Sequence, residues 1–139
     1  MDYTFEVTAD QAKEENDFIW NQLVQFNLQY TEPIQHAWLK VFARNKQGEL
    51  IGGLLGETFW HWFHINILWV HENCRLSGVG RQLMARAEAE AINRGCRHAD
   101  VDTHDFQAPD FYRKLGYTVW GVLDDLPPGH QKIFFKKDL

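Results

Sequence analysis

The sequence predicts an α/β (α+β) fold, in which a mixed, mostly antiparallel, twisted sheet of six to seven strands is flanked by helices. Segments with a hydrophobic period of two alternate with segments of period 3.6, in the order β-α-β-β-β-α-β-α-β-β. Turns rich in glycine and proline separate these segments, and no repeat, linker or low-complexity stretch interrupts them. With 139 residues and 45% hydrophobic content, the chain is predicted to fold as a single domain, residues 1–139.

The N-terminal part predicts one strand and one helix. Residues 3–7 have the alternating pattern of a short strand. Thr8 and Gln11 have the spacing of a capping box, and apolar residues then recur at helical intervals, which predicts a helix over residues 10–28. A loop follows at Glu32-Pro33.

The middle of the chain predicts three strands and a long helix. The strands are expected over residues 38–44, 49–59 and 65–70. Three glycines in the second of them, Gly52, Gly53 and Gly56, indicate a bend or the close approach of a neighbouring element. The helix is expected over residues 78–94, and Gly95 stands where a left-handed C-cap is favoured.

The C-terminal part predicts a strand, a short helix and two last strands. Polar and apolar residues alternate over 98–103, as in a half-buried strand. Pro109 then begins a short helix that Gly116 ends, since proline favours a first helical turn and glycine the position after the last. The final strands are expected over residues 118–123 and 131–136, on either side of a turn at 126–129.

The strongest functional signal is the segment 75–80, which reads Arg-Leu-Ser-Gly-Val-Gly and joins a predicted strand to the long helix. A glycine-rich turn at such a junction directs unpaired N–H groups and the positive end of a helix dipole at one point, which suits a phosphate. Arg75 and Arg81 add charge-assisted hydrogen bonds. A dinucleotide fingerprint is excluded because Leu83 stands at its third glycine position. A P-loop is excluded because no Lys-Ser/Thr pair follows the last glycine.

A second motif lies in residues 108–117, which read Ala-Pro-Asp-Phe-Tyr-Arg-Lys-Leu-Gly-Tyr. These residues fit the pattern A-x-x-F-Y-x-K-x-G-[FY], and Arg75, Gly78 and Gly80 fit R/Q-x-x-G-x-G/A. In these two motifs and in its element order, the chain resembles a small, bacterial-type, single-domain member of the GNAT family of N-acetyltransferases. The resemblance extends from about Trp38 to the C-terminus. The part before it matches only as a strand followed by a helix.

The resemblance implies the GNAT acyl-CoA N-acyltransferase fold and an acetyl-CoA-dependent N-acetyltransferase. Such an enzyme moves the acetyl group directly to a primary amine, without an acyl-enzyme. The glycine-rich loop would hold the pyrophosphate of acetyl-CoA, and the strand before it would splay from its neighbour and pair with the pantetheine arm. The cofactor-binding residues that the resemblance implies are Leu68, Val70, Arg75, Leu76, Ser77, Gly78, Val79, Gly80, Arg81, Gln107 and Tyr112.

The resemblance also assigns two catalytic residues, Tyr112 and His64. Tyr112, whose phenol has an ordinary pKa near 10, would protonate the departing thiolate, while a backbone N–H of the splayed strand polarises the thioester carbonyl. His64 stands where several members of the family carry their base, and imidazole titrates in the required range. By the period of two it should share a strand face with Asn66, Leu68 and Val70. The alternatives are a half-exposed histidine without a catalytic role, and Glu57 as the base.

Three features have two interpretations each. The aromatic segment 59–63 is either a turn whose side chains pack into the core or a dimer interface, or the wall of an acceptor pocket for a flat or cationic amine. Asp105 stands where many members of the family carry an asparagine, which puts one cofactor contact in question. Asp102, His104 and Asp105 follow one another at a strand end, where they either line the acceptor pocket or cap the loop.

The composition limits the partners. A formal net charge of −5 argues against nucleic acid and mildly favours amine-bearing substrates. No apolar run is long enough to span a bilayer, so no membrane partner is expected. The chain has two cysteines without a C-x-x-C spacing, which favours a cytoplasmic protein. Its histidines lack the cysteines or carboxylates that would complete a ligand set, so no metal cofactor is expected.

The identity of the acceptor is left open by the sequence. A small-molecule amine is expected, while protein amino groups, the preferred acyl chain and a homodimer remain open. The alternative function is a non-catalytic module that binds acyl-CoA and acts through protein contacts. An intact Tyr112 favours the enzyme.

Overall fold

A computed structural model describes residues 2–139, which form two compact units that meet in sequence between Pro33 and Ile34. The prediction of one domain over residues 1–139 stays a prediction. Residues 2–9 take no regular secondary structure, so the predicted strand over residues 3–7 is wrong. An alternating pattern forms a strand only where a second strand supplies the hydrogen-bonded ladder, and no such ladder includes these residues.

The first unit contains one helix, α1 (Lys13–Asn27), within the predicted span. It begins later than predicted because Ala12, at φ 47°, turns the chain at the N-cap. The predicted capping box is wrong, since the Thr8 hydroxyl accepts from the N–H of Asp10 at 3.0 Å and makes no contact with the helix N-terminus.

The second unit contains the sheet and two helices. Its elements are β1 (Ala37–Arg44), β2 (Leu50–Phe59), β3 (Trp62–Val70), α2 (Val79–Asn93), β4 (His98–His104), α3 (Pro109–Lys114), β5 (Thr118–Asp124) and β6 (Gln131–Asp138). The strands lie in the order β1-β2-β3-β4-β6-β5. Every neighbouring pair is antiparallel except β3 with β4. This arrangement confirms the predicted mixed, mostly antiparallel sheet, with six strands.

Glycines in the left-handed region end or begin the helices where the sequence predicts. Gly78 precedes α2 at φ 86°, Gly95 follows it at φ 89°, and Gly116 follows α3 at φ 91°. These positive φ values favour a residue without a Cβ. The helix caps of the second unit are therefore encoded locally.

The core lies on the face of the sheet that α2 covers. Its fully buried side chains come from five strands and the helix: Leu39, Leu54, Phe63, Ile65, Ala99, Phe135, Met84, Ala87 and Ala91. The small alanines of α2 allow the helix to approach the sheet closely, while the large side chains on the strands fill the space between them.

A β-bulge in β3 decides which side chains face this core. Opposite β2, the pairing jumps from Ile65 to Ile67, so that Asn66 is an extra residue. A bulge of one residue reverses the alternation beyond it. Leu68 and Val70 consequently pack against the same core as Ile65. The predicted shared face of His64 with Leu68 and Val70 is wrong for this reason.

The parallel pair β3–β4 is short and then opens. Trp62–Ile65 of β3 pair with residues 98–101 of β4, and no pairing between the two strands continues beyond Ile65. The rest of β3 stays in the ladder with β2, whereas the rest of β4 stays in the ladder with β6. The two strands therefore diverge toward the loop that follows β3, as the resemblance implied.

Gly56 is the partner of Ile65 at this bulge, and the absence of a side chain there permits a close approach of β3. A Cβ there would lie 2.7 Å from a ring carbon of Phe63 and 2.8 Å from the His64 carbonyl oxygen. We expect Gly56→Ala to lower the free energy of unfolding by about 1–3 kcal/mol, measured by urea denaturation. Gly121→Ala is the matched control, because a Cβ at that strand glycine meets nothing within 4 Å. Equal losses in the two variants would contradict the steric explanation.

Candidate active site

The loop after β3 has the conformation of an anion-binding turn. A 3₁₀ turn (Glu72–Cys74) leads into it, and the Ser77 hydroxyl donates to the Cys74 carbonyl. Leu76 lies at φ 64° with its side chain fully exposed, and Gly78 lies at φ 86°. Successive backbone N–H groups in a turn with left-handed residues can converge on one anion. We call residues 75–80 the glycine loop.

The N-terminus of α2 adds unpaired donors to the glycine loop. The first i→i−4 bond of the helix joins the N–H of Gln82 to the carbonyl of Gly78 at 3.0 Å. The N–H groups of Val79, Gly80 and Arg81 precede this bond and have no acceptor of that kind in the helix. Together with the helix dipole they favour a negatively charged ligand at this end of α2.

A cavity of about 790 Å³, which we call the loop cavity, lies at the glycine loop. Its lining residues are Leu68, Val70, Cys74, Arg75, Leu76, Gly78, Gly80, Arg81, Gln82, Ala108, Phe111 and Lys114. Three cationic side chains among them, Arg75, Arg81 and Lys114, surround a mostly apolar floor. The loop cavity therefore suits a ligand with phosphates attached to an organic body.

Gly80 allows α2 and α3 to meet at the floor of the loop cavity. A Cβ at this position would lie 3.4 Å from the Phe111 ring and 3.7 Å from the Val70 side chain. Only a residue as small as glycine or alanine fits that contact. The two sequence motifs are thus in direct contact in the structure, with Gly80 from the first and Phe111 from the second.

A second cavity, of about 520 Å³, lies where β3 and β4 diverge, and we call it the strand cavity. Its lining residues are Ile65, Asn66, Ile67, Leu68, Trp69, Val70, Arg75, Val101, Asp102, Thr103, Phe106, Gln107, Ala108 and Tyr112. Leu68, Val70, Arg75 and Ala108 line both cavities. An elongated ligand could therefore lie with one end at the glycine loop and the other between the strands.

Backbone groups of β3 face the strand cavity without a strand partner. The N–H of His71 donates to the Ile51 carbonyl of β2 at 2.8 Å. Because backbone groups in an antiparallel ladder point alternately to opposite sides, those of Leu68 and Val70 point away from β2. The Val70 carbonyl accepts from Arg75 Nε at 3.1 Å, which leaves the N–H of Val70 and both groups of Leu68 for a ligand.

Tyr112 lines the strand cavity. Its side chain is 6% exposed and packs edge-on against Phe111 and Tyr117. Its hydroxyl makes no hydrogen bond to any residue of 2–139. Burial, with a contribution from the Asp102 carboxylate, raises the pKa of Tyr112 to about 12. The phenol is therefore protonated at neutral pH and can donate to a group in the cavity.

His64 lies on the sheet face opposite the core and lines neither of these cavities. Its Nδ1 lies 2.9 Å from Asp100 Oδ2, and the histidine and aspartate side chains are 28% and 30% exposed. The hydrogen bond to Asp100 raises the pKa of His64 against the opposing effect of burial. Its neighbours in sequence, Ile65 and Asn66, line the strand cavity.

The family model of the GNAT acetyltransferases matches residues 5–117. The chain belongs to the GNAT acetyltransferase family. A blasticidin-S acetyltransferase of Streptomyces morookaense is 43% identical over 99 residues, which cover 70% of this chain and 73% of that protein. An acetyltransferase of Agrobacterium fabrum is 32% identical over 137 residues, covering 99% and 98%. The crystal structure of an acetyltransferase from Bacillus cereus has a TM-score of 0.87 at 34% identity, covering 96% of this chain and 98% of that one.

The GNAT chain is accordingly an acyltransferase, which confirms the predicted enzyme class and family. No group of three or more His, Cys, Asp or Glu side chains within residues 2–139 could hold a metal ion. No helix in the same range has the length and apolar character needed to cross a membrane.

The departure of this GNAT chain at Asp105 has a structural explanation. Asp105 Oδ1 lies 2.9 Å from His130 Nδ1, and Oδ2 accepts from the N–H of Gln131 at 3.1 Å. The carboxylate therefore joins the end of β4 to the turn before β6. Of the two interpretations of the carboxylates at this strand end, Asp105 fits the loop cap. Asp102 instead lines the strand cavity and forms an ion pair with Lys132 at 3.5 Å.

Gln107 and His104 also stabilise the loop after β4. Gln107 Oε1 accepts from the Thr103 hydroxyl at 3.1 Å and from the N–H of His104 at 2.9 Å. The Gln107 side chain reaches the strand cavity, but its oxygen is already occupied, so only its amide nitrogen is available to a ligand.

The aromatic segment of this acetyltransferase divides between core and surface. Trp60 and His61, at φ 45° and 64°, form the tight turn between β2 and β3, and Phe63 is fully buried. Phe59 and Trp62 line a third cavity, of about 380 Å³, together with Asp100, Trp120 and Lys136. The turn-and-core interpretation accounts for Trp60, His61 and Phe63, whereas Phe59 and Trp62 fit the wall of a pocket.

The structure brings most of the predicted site residues together. Those that line the loop or strand cavity are Leu68, Val70, Arg75, Leu76, Gly78, Gly80, Arg81, Gln107 and Tyr112. Ser77 and Val79 belong to the glycine loop but line neither cavity. Sequence reasoning did not assign Asn66, Lys114 or Phe106 to the site. Lys114 lies within the second motif, as does Phe111, so the motif could have indicated that both line the loop cavity. The position of Asn66 in the strand cavity depends on the bulge in β3.

Proposed function

We propose that this GNAT enzyme transfers the acetyl group of acetyl-CoA directly to a primary amine of a small molecule. The observation that carries the proposal is the junction of the two cavities. The loop cavity offers unpaired helix N–H groups and three cations, and the strand cavity continues from it to Tyr112. An anionic pyrophosphate followed by a long polar arm and a thioester matches this succession of environments.

In this proposal the glycine loop holds the pyrophosphate. Backbone N–H groups of Leu76, Ser77, Gly78, Val79 and Gly80 would donate to its oxygens. Arg81 and Lys114 would supply charge from the walls, and Arg75 would do so while keeping its bond to the Val70 carbonyl. The amide groups of the pantetheine arm would pair with the free backbone groups of Leu68 and Val70, completing a ladder that β4 does not continue.

The chemistry follows from what surrounds the end of the strand cavity. The thioester carbonyl would accept from a backbone N–H of β3, so that negative charge on its oxygen is stabilised in the transition state. Tyr112 would donate its proton to the departing thiolate, and its raised pKa keeps the phenol protonated until that moment. His64 is the proposed acceptor of the amine proton.

A small-molecule acceptor is the part of the proposal that depends on the relatives. The relative with 43% identity is a blasticidin-S acetyltransferase, so a similar chain acts on a small molecule. The carboxylates of Glu57, Asp100 and Asp102 lie near His64 and contribute to its raised pKa. Negative charge on this face favours an acceptor that arrives as a cation, as primary amines do at neutral pH.

Isothermal titration with acetyl-CoA tests the cofactor site. We expect one molecule bound per chain with a dissociation constant on the order of 1–10 μM. Acetyl-pantetheine, which lacks the pyrophosphate, is the control ligand and should bind at least about tenfold more weakly, because it cannot use the glycine loop. A panel of small primary amines, assayed by CoA release, then tests the transfer. Equal affinity for the two thioesters would contradict the pyrophosphate site, and release of CoA only with peptide amines would contradict the small-molecule acceptor.

A further inference from the structure

His64 and Asp100 are direct partners in the parallel pairing of β3 with β4. Their Cα atoms face each other across β3 and β4, one residue before the pairing ends at Ile65 and Val101. Side chains at such partner positions leave the sheet on the same face. The pair therefore lies beside the point at which the two strands separate to form the strand cavity.

The contact between the two side chains determines the tautomer of the His64 imidazole. Nδ1 of His64 lies 2.9 Å from Oδ2 of Asp100, and a carboxylate can only accept a hydrogen bond. Nδ1 must then carry the hydrogen, and in the neutral ring Nε2 carries the lone pair. We infer that Asp100 is the positioning residue of a His64–Asp100 dyad in which Nε2 of His64 takes the proton from the acceptor amine. This inference rests on the proposed function.

Both residues of the dyad are adjacent in sequence to residues that line the strand cavity. His64 directly precedes Ile65 and Asn66, which line the cavity from β3. Asp100 directly precedes Val101 and Asp102, which line it from β4. In this inference the acceptor amine reaches the thioester between the strands and gives its proton to Nε2 directly or through one water molecule.

Three carboxylates around His64 favour its protonated form. Glu57 of β2 is its cross-strand partner, and Asp100 and Asp102 lie on β4. Lys136 of β6 stands opposite Asp100 and is a cation on the same face. His36 lies 3.9 Å from Glu57. The net effect, dominated by the hydrogen bond to Asp100, is a raised pKa of His64, which brings the imidazole closer to the pKa of an amine substrate.

The protons balance over one turnover. The ammonium group gives one proton to Nε2 of His64 and becomes the nucleophilic amine, which forms the C–N bond at the thioester carbon. The C–S bond then breaks, and the thiolate takes the Tyr112 proton. The second amine proton returns to Tyr112 through water, and His64 releases its proton to solvent. One ammonium and one thioester thus yield one amide, one thiol and one free proton.

Substitution of Asp100 by asparagine is the decisive variant. We expect Asp100→Asn to lower kcat roughly 10-fold at the pH optimum, because the tautomer is no longer fixed, while KM for acetyl-CoA changes less than about twofold. Activity requires neutral His64, so the acidic limb of the kcat/KM profile reports its pKa. Loss of the carboxylate removes the main cause of the raised pKa, and the limb should move to lower pH. The His64 ring titration, followed by NMR, should move in the same direction.

The sheet supplies a matched control for this variant. His98 and Asp138 form a similar pair, with Nδ1 and Oδ1 2.8 Å apart, as cross-strand partners of β4 and β6. Neither residue lines the loop or strand cavity, so Asp138→Asn should leave both kcat and the pH profile unchanged. Asp100→Glu keeps the carboxylate and should retain part of the raised His64 pKa, which provides a second variant if Asp100→Asn does not fold.

A double-mutant cycle distinguishes positioning from a merely structural role. In the His64→Ala background, Asp100→Asn should lower kcat no further, because it acts through the imidazole. The inference is overturned if the acidic limb stays in place, or if Asp100→Asn has the same effect on kcat with and without His64. Failure of the wild-type protein to release CoA with any amine would instead overturn the proposed function, and this is seen before any variant is made.

Discussion

Replacing Tyr112 by phenylalanine should lower kcat by about 100-fold or more while leaving the affinity for acetyl-CoA nearly unchanged. The substitution removes only the hydroxyl, and the ring keeps its contacts with Phe111, Tyr117 and Phe135. The departing thiolate then loses its proton donor, whereas the glycine loop and the free strand groups still hold the cofactor. Steady-state kinetics give kcat, and titration calorimetry gives the dissociation constant.

Tyr117→Phe is the matched control for this result. Tyr117 is buried in the same aromatic cluster, but its hydroxyl donates to Glu88 at 3.3 Å and it lines neither the loop nor the strand cavity. Its loss should cost about 0.5–1.5 kcal/mol in unfolding free energy and leave kcat unaltered. If Tyr112→Phe retains wild-type turnover, water protonates the thiolate and the role assigned to Tyr112 is wrong.

The raised pKa of Tyr112 also limits its contribution to the pH dependence of kcat/KM. Because burial moves this pKa to about 12, the phenol remains protonated across the range in which the enzyme can be assayed. Any alkaline fall in kcat/KM below pH 10 must then come from another group. The acidic limb, by contrast, is expected to report His64 of the proposed dyad, so the two ends of the profile should report different residues.

The glycine loop and the helix caps could be predicted from the sequence because their physics is local. A glycine at positive φ, a proline in a first turn and a strand-to-helix junction each depend on a few neighbouring residues. Gly78, Gly95, Gly116 and Pro109 therefore all stand where they were expected. The contact between Gly80 and Phe111 could not be derived this way, although both motifs were recognised.

The bulge and the dyad could not be predicted, since both depend on register between distant segments. The extra residue Asn66 moves every later side chain of β3 to the other face of the sheet. The hydrophobic pattern of the sequence does not distinguish such a bulged strand from a regular one. The pairing of His64 with Asp100 joins residues 36 positions apart through a parallel register of four residue pairs. Asp105 and His130 are likewise brought together only by the β4–β6 ladder. The proposed base and its partner are therefore brought together by the tertiary fold.

Replacing Gly78 by valine should weaken acetyl-CoA binding by roughly 10- to 100-fold. Gly78 lies at φ 86°, a region that a β-branched residue avoids at a cost of about 1–2 kcal/mol. Relief of that strain would rotate the peptide units of the loop, and each charge-assisted bond lost to the pyrophosphate costs about 1.5–3 kcal/mol. A Cβ at this position meets nothing within 4 Å, so the loss should appear in the dissociation constant far more than in stability.

Leu76→Gly is the complementary variant, because it relieves backbone strain in the glycine loop whereas Gly78→Val introduces it. Leu76 lies at φ 64° with its side chain fully exposed, so its replacement removes backbone strain and no packing. We expect a gain in unfolding free energy of up to about 1 kcal/mol and an affinity for acetyl-CoA at least equal to that of the wild type. Calorimetry on the two variants compares positions two residues apart. If the two variants bind acetyl-CoA equally tightly, the left-handed turn does not orient the backbone N–H groups toward the pyrophosphate. The cofactor would then be held by the side chains of Arg75, Arg81 and Lys114 instead.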